Sequence, residues 1–172
     1  MQKLIGSACI ILAGLGLGFS YGHELQKRLI DMREITHIFI LIKGEIQYTR
    51  ATLSDVFYRT AQRKDGVYKD WLMFLSRCLE DGSACRIKDV WEESINTYLK
   101  ATQLKKSDIG AIKKIGADFG HMDVQTQIST IDLFLNEWEM KTTKAKEELS
   151  SKQKLSRCLG IMGGIMLVIF LV

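Results

Sequence analysis

Carboxylates, imidazoles and thiols are the side chains here that could serve as acid, base, metal ligand or nucleophile, so their spacing comes first. Glu92 and Glu93 are adjacent, and Glu137 and Glu139 are two apart. On a helix such pairs point to different faces, which suits solvated charge and not a general acid/base pair. His23, His37 and His121 are scattered, there is no CxxC, and no His stands at metal-ligand spacing. Cys9 and Cys158 fall in or beside apolar stretches, while Cys78 and Cys85 flank an expected helix end; small buried side chains fit all four. A Cys78–Cys85 bridge would require an oxidising compartment.

Phosphate chemistry fares no better. No GxxxxGK[ST] loop and no GxSxG elbow is present. Gly14 to Gly18 reads GLGLG, but within an apolar run and without the strand and turn that a dinucleotide loop needs. Asp118-Phe119-Gly120 spells a kinase triplet without the lysine and catalytic-loop motifs that give it meaning. The expectation is a non-enzyme with no catalytic, cofactor or metal site. A net charge of +4, not gathered into a stripe with aromatic neighbours, argues against a nucleic-acid partner.

What remains is organisation. Of the 172 residues, all 20 acidic ones, and every Lys and Arg except Lys3, lie between His23 and Arg157. The ends are therefore apolar and the middle is charged. Leu4 to Tyr21 carries no charge and reaches the roughly 18-residue threshold for a transmembrane helix. The run continues through Phe19 and Tyr21 into helix-forming sequence, which favours an uncleaved anchor over a signal peptide. At the other end, Leu159 to Val172 is apolar on every side and gives about 21 Å of helix. Leu155, Ser156 and Cys158, with Arg157 snorkelling to the headgroups, extend it to about 27 Å, enough to span with slight local thinning.

Lys27, Arg28 and Arg33 follow the first run, and Lys152, Lys154 and Arg157 precede the second; outside them stands only Lys3. That bias places the middle of the chain in the cytoplasm and both termini across the membrane. Gly14, Gly18 and Gly22 recur every fourth residue, as do Gly160 and Gly164, a spacing that lets membrane helices approach closely. These faces suit packing of the two spans on each other, or on another subunit, a homo-oligomer included.

The middle is helical by its periodicity. Leu25, Leu29, Met32, Thr36, Phe39 and Ile46 form one stripe, with Ile35, Ile38 and Ile42 beside it. Thr52 and Asp55 start a second helix to about Lys64, and Asp65-Gly66 punctuates the chain. Val67, Trp71, Leu75 and Cys78 mark a third helix ending at Gly82; Ile87, Trp91, Ile95 and Tyr98 mark a fourth. Ser107 caps a fifth through Ile109, Ile112, Ile115 and Phe119, stopped by Gly120. Asp123 caps a long sixth, whose apolar face is Val124, Ile128, Ile131, Leu135, Trp138, Thr142, Ala145 and Leu149. The expected fold is all-α: a bundle of about six helices over residues 23–154, the first and last continuing into transmembrane helices at 1–22 and 155–172.

One set of residues adds a resemblance. Asp108, then Gly116-Ala-Asp-Phe-Gly120-His-Met-Asp123-Val-Gln125, then Ala145 and KLSRCLG from Lys154 to Gly160 with its Leu159-Gly160 junction, resemble the C-terminal signature of the stage III sporulation protein AB family. Leu41, Glu45-Ile46, Tyr48 and Ala51-Thr52-Leu53-Ser54-Asp55 resemble its N-terminal half. The family usually has Thr-Pro where Ala51 and Thr52 stand, and Leu where Phe119 stands. Gly116 falls inside an expected helix, where it costs about 1 kcal/mol against Ala, so a close helix–helix contact is its reason. Gly120 suits a left-handed helix end. Asp123 and Gln125 read as structural residues, or as a partner contact on an exposed turn.

The resemblance implies a component of the secretion-like channel between mother cell and forespore in endospore-forming bacteria. The family is similar to the inner-membrane platform proteins of type II secretion and type IV pilus systems, whose cytoplasmic helices meet a hexameric ATPase. It implies a scaffold in the mother-cell membrane around the forespore, with the bilayer, the sporulation ATPase and the other channel subunits as partners. The rival is a two-span sensor or adaptor with an extracytoplasmic bundle, disfavoured because the sequence given holds no output domain after the second run.

Overall fold

The computed structural model describes residues 2–49, 51–81, 87–116 and 123–171, with side chains for 23–49, 51–81, 87–116, 123–152 and 154–155. Among these residues the chain forms six α-helices and one short 3-10 turn, with no strand: α1 Gln2–Thr49, α2 Leu53–Ala61, α3 Gly66–Glu80, α4 Ile87–Tyr98, the turn Leu99–Ala101, α5 Lys106–Gly116 and α6 Val124–Leu171. With no proline in the chain, nothing breaks α1 or α6. Each runs 48 residues, or about 72 Å of helix.

α1 and α6 pack antiparallel. Lys43 meets Asp132 at 2.6 Å, the Phe39 and Phe134 rings lie 4.4 Å apart, and the Trp138 indole N–H donates to the Met32 carbonyl at 2.9 Å. The α1 stripe is buried as expected, Thr36 being half-buried with its hydroxyl on the Met32 carbonyl. On α6 two expectations fail. Phe134 is buried although the stripe passes it over, because α6 covers α5 as well as α1 and so needs a wider apolar arc. Val124, placed on the stripe by its spacing, is half-exposed, because it faces a groove at the bundle end and not the core.

The remaining helices alternate in direction along one flank of this pair. α2 returns from the far end of α1, and its N-cap works without the family's Thr-Pro. The Asp55 backbone N–H donates to the Thr52 hydroxyl at 3.2 Å, and that hydroxyl donates to the Asp55 carboxylate at 2.7 Å. Gly66 opens α3 with a φ of 58°, so the turn at Asp65-Gly66 needs a residue without Cβ. α3 and α4 supply the aromatic centre. Trp91 is edge-on to Trp71 at 5.4 Å and lies 5.9 Å from Phe57 and 6.4 Å from Phe39. Such pairs each add about 0.5–1.5 kcal/mol beyond their burial. The indole donors are satisfied: Trp71 donates to the Ser94 hydroxyl at 2.9 Å and Trp91 to the Ile112 carbonyl at 2.9 Å.

α5 seats on this centre through Gly116. A Cβ placed there would lie inside the Trp91 indole, so only glycine lets the helix end approach. The helix starts two residues earlier than a cap at Ser107 suggests: Lys105 is the cap position, and Asp108 reaches back to accept its backbone N–H at 3.0 Å. Asp108 also takes both arms of the Arg28 guanidinium, at 2.8 and 3.1 Å, and is 1% exposed. Arg28 is thus not the solvent-facing basic residue that the orientation argument counted. Asp123 caps α6 as expected, accepting from the Gln125 and Thr126 backbones at 3.1 and 3.2 Å and from the Thr126 hydroxyl at 2.6 Å. That hydroxyl, then the Thr126 N–H, holds the Asp123 carboxyl below its ordinary pKa.

The expected extension of the fifth helix to Phe119, and its stop at Gly120, fall outside the described residues, as do the Gly82 end of the third helix and Cys85. Among the described residues no helix is long and apolar enough to cross a membrane. The two apolar runs at 4–21 and 155–172 lie almost wholly where α1 and α6 are described as backbone only.

Two glycines of α5 give opposite expectations. Gly116→Ala overpacks Trp91 and lowers unfolding stability by about 1–3 kcal/mol in chemical denaturation. Gly110→Ala faces open space in the same helix and raises stability by about 0.5–1 kcal/mol. Asp108→Ala strands Arg28 in the interior and costs about 3–5 kcal/mol. Because the Asp123 pKa is depressed on folding, its contribution is present above the ordinary carboxylate pKa and fades as pH falls through the folded value. The melting temperature of Asp123→Ala should sit below wild type at pH 7, and the gap should close in acid.

Candidate functional site

The residues carrying the resemblance divide into two groups once folded. Asp108 and Gly116 are interior: one pairs with Arg28, the other admits Trp91. Their burial accounts for them through packing. Glu45, Tyr48, Leu53, Asp123 and Gln125 instead gather at one end of the bundle, where α1 finishes, α2 begins and α6 begins. Antiparallel packing of α1 on α6 is what brings these distant stretches together.

At that end lies a groove of about 580 Å3 lined by Ile46, Gln47, Ala51, Leu53, Val124 and Gln127. Its walls are mainly apolar, and Leu53 and Ala51 connect it to the core. Tyr48, the penultimate residue of α1, is 80% exposed, and Val124 is 51% exposed. Gln125 is exposed, its backbone carbonyl accepting from the Ser129 hydroxyl. Exposed large apolar and aromatic side chains beside a groove mark an interaction surface more than a reaction centre.

Glu45 is the exception among them. It is buried in the flank facing α2, where Arg63 donates to its Oε1 at 3.1 Å and Arg59 stands 3.7 Å from its Oε2. Three further polar residues of α1, Glu34, His37 and Asp31, make contacts lower down. Lys64, almost fully buried, bonds Glu34 at 2.6 Å and His37 Nδ1 at 2.7 Å. An ammonium only donates, so Nδ1 accepts and the imidazole proton sits on Nε2. Asp31 accepts from the Tyr68 hydroxyl at 2.8 Å and from the Gln103 backbone at 2.7 Å. Burial, and then that bond to Asp31, raises the Tyr68 pKa far above its ordinary value and keeps the phenol protonated.

None of these clusters has the form of a catalytic or metal centre. Among the described residues no three His, Cys, Asp or Glu side chains converge to hold an ion. Glu92 bonds Lys113 at 2.9 Å at the surface, and the Lys113 bond holds its carboxyl below the ordinary pKa. Glu148 is likewise lowered by its bond to Lys152. Cys78 is half-buried in α3. Sequence reading passed over Asp31, Arg59, Arg63 and Tyr68, and took Arg28 only as a flanking charge and Lys64 only as a helix end. Nothing in their local spacing signals burial, since each partner comes from a distant helix. Gly120 lies outside the described residues. Gly14, Gly18, Gly22, Leu159, Gly160 and Gly164 lie where α1 and α6 are described as helical backbone only.

Comparison with known proteins agrees with this architecture. A solved structure described as Stage III sporulation protein AB superposes with a TM-score of 0.65 at 23% identity, covering 72% of this chain and 97% of that one, a likeness that bears on the fold. The Bacillus subtilis (strain 168) protein named Stage III sporulation protein AB is 25% identical over 171 residues, spanning 99% of each chain. The family described as Stage III sporulation protein AB matches residues 3–172. With the match running the length of the helical bundle and both apolar runs, the chain belongs to the stage III sporulation protein AB family.

Proposed function

We propose that the protein is a non-enzymatic platform of the mother cell–forespore channel, held by two membrane spans and docking the sporulation ATPase and other channel subunits at the far end of its bundle. The register of α1 against α6 carries this reading. Lys43 opposite Asp132, Phe39 opposite Phe134 and Met32 opposite Trp138 step down one helix as they step up the other. Carried along two unbroken helices, that register sets the run 4–21 level with the run 155–172. Both apolar segments then leave the bundle on the same side, as a two-span anchor requires.

The opposite end is then the part of the molecule furthest from the bilayer. Glu45 lies 24 residues beyond Tyr21, or about 36 Å of helix. The groove, Tyr48, Val124 and the resemblance residues Leu53, Asp123 and Gln125 all belong to that end. A large cytoplasmic partner can reach them without touching lipid. The central domain is cytoplasmic on this reading, with residues 23–154 forming it and 1–22 and 155–172 forming the spans. Lys27, Lys152 and Lys154 still support that orientation after Arg28 is discounted.

The full chain should remain in the membrane through alkaline carbonate washing and, solubilised in mild detergent, should retain the sporulation ATPase on affinity capture. Val124→Glu and Tyr48→Ala change exposed side chains and should weaken capture by roughly tenfold or more, as loss of a central interface residue does. Release by carbonate would refute the anchor, and a wild-type chain that retains no ATPase would refute the docking role.

A further inference from the structure

Glu45 and its two arginines do something that fold stability does not require. Glu45 is a carboxylate with a side chain 9% exposed, and two guanidiniums, Arg59 from α2 and Arg63 from the turn after it, converge on it. The cations stay in reach of solvent: Arg59 is 52% exposed and Arg63 56%. Two positive charges against one negative leave one unmatched. The acidic residues nearest in sequence do not neutralise it: Asp55, one turn before Arg59, is turned to the Thr52 hydroxyl, and among the described residues Asp65, two after Arg63, forms no ion pair with either arginine. Arg63 is hydrogen-bonded to Oε1, whereas Arg59 sits at ion-pair distance only, and Oε2 accepts no hydrogen bond.

We infer that Arg59 and Arg63, held by the buried Glu45, form a carboxylate-receiving site that takes an acidic segment of a partner chain. The chemistry is specific to arginine. A guanidinium is planar, always charged and able to grip a carboxylate with two parallel N–H donors. A buried anion behind a pair of them fixes their position and spares a partner part of the ordering cost. The unmatched charge also gives the surface a sign, which steers an acidic chain toward it. Glu45 is thus a positioning residue, and the arginines are the contacts. The site lies where α2 packs on α1, and the groove at the same end is lined from α1, the start of α2 and α6, so one partner can engage apolar and charged surfaces together. As a docking contact for the ATPase it rests on the reading given above; as a carboxylate site it does not.

The test uses the full chain in neutral detergent and a fluorescein-labelled peptide of ten glutamates, read by fluorescence anisotropy. Wild type should bind it in a salt-dependent manner, and Arg59→Ala/Arg63→Ala should weaken binding by roughly tenfold or more. Lys144→Ala/Lys146→Ala removes the same charge from exposed positions elsewhere and should change binding less than about twofold. If the double arginine variant does not fold, Arg59→Glu decides, since that side chain is half-exposed and makes only the 3.7 Å pair. Equal losses in the arginine and lysine variants, or no binding by wild type, overturn the site. ATPase capture is scored separately. If wild type fails to capture while the arginine-dependent peptide binding persists, the docking role falls and the carboxylate site stands. Equal capture of the ATPase by wild type and Arg59→Glu would overturn the site's part in docking.

Discussion

The pairing of α1 with α6 is the constraint on which the other helices depend. Two helices of this length can slide past each other by whole turns unless something specifies the register. Ridge-and-groove packing alone accommodates several offsets. Here the Trp138 indole reaches a main-chain carbonyl of α1, and a buried N–H without that acceptor would cost about 1–3 kcal/mol. The Lys43–Asp132 pair repeats the instruction further along. With the two long helices set, the short ones have one apolar flank left to cover.

How they cover it is governed by charge as much as by apolar area. On the flank of α1 away from α6, Arg28 bonds α5, Asp31 bonds the α3 tyrosine and the α4–α5 loop, Glu34 bonds the α2–α3 turn, and Glu45 pairs with that same turn and with α2. Buried or half-buried pairs of this kind add little net stability over well-packed apolar residues. What they do supply is discrimination, because a helix shifted by one turn would strand several charges at once. The sequence of contacts along α1 therefore works as an address list for elements that lack the length to define their own register.

This explains what could be read from the chain and what could not. Local signals were legible. Thr52 and Asp123 cap where their side chains predict, the apolar stripe of α1 is buried, and Gly116 marks a close approach whose partner proves to be Trp91. Arg28, Asp31 and Lys64 look like ordinary surface charges in a charged middle region, since a salt bridge between residues 80 apart leaves no periodic trace. Phe134 and Val124 were misplaced for a related reason: a hydrophobic stripe gives a direction, but not its width or where the neighbouring helices stop. Of the residues that gather at the far end, each was recognisable alone. Their convergence was not, because it depends on the α1–α6 register.

The continuity of α1 and α6 has a mechanical consequence. Neither helix carries a proline, and each extends without interruption from the bundle into its apolar run. A hinge would let the bundle nod independently of whatever the apolar runs rest in; here there is none on either strut. With the apolar runs anchored as proposed above, force applied at the groove would be delivered as tilt, the bundle acting as a lever arm of about 36 Å.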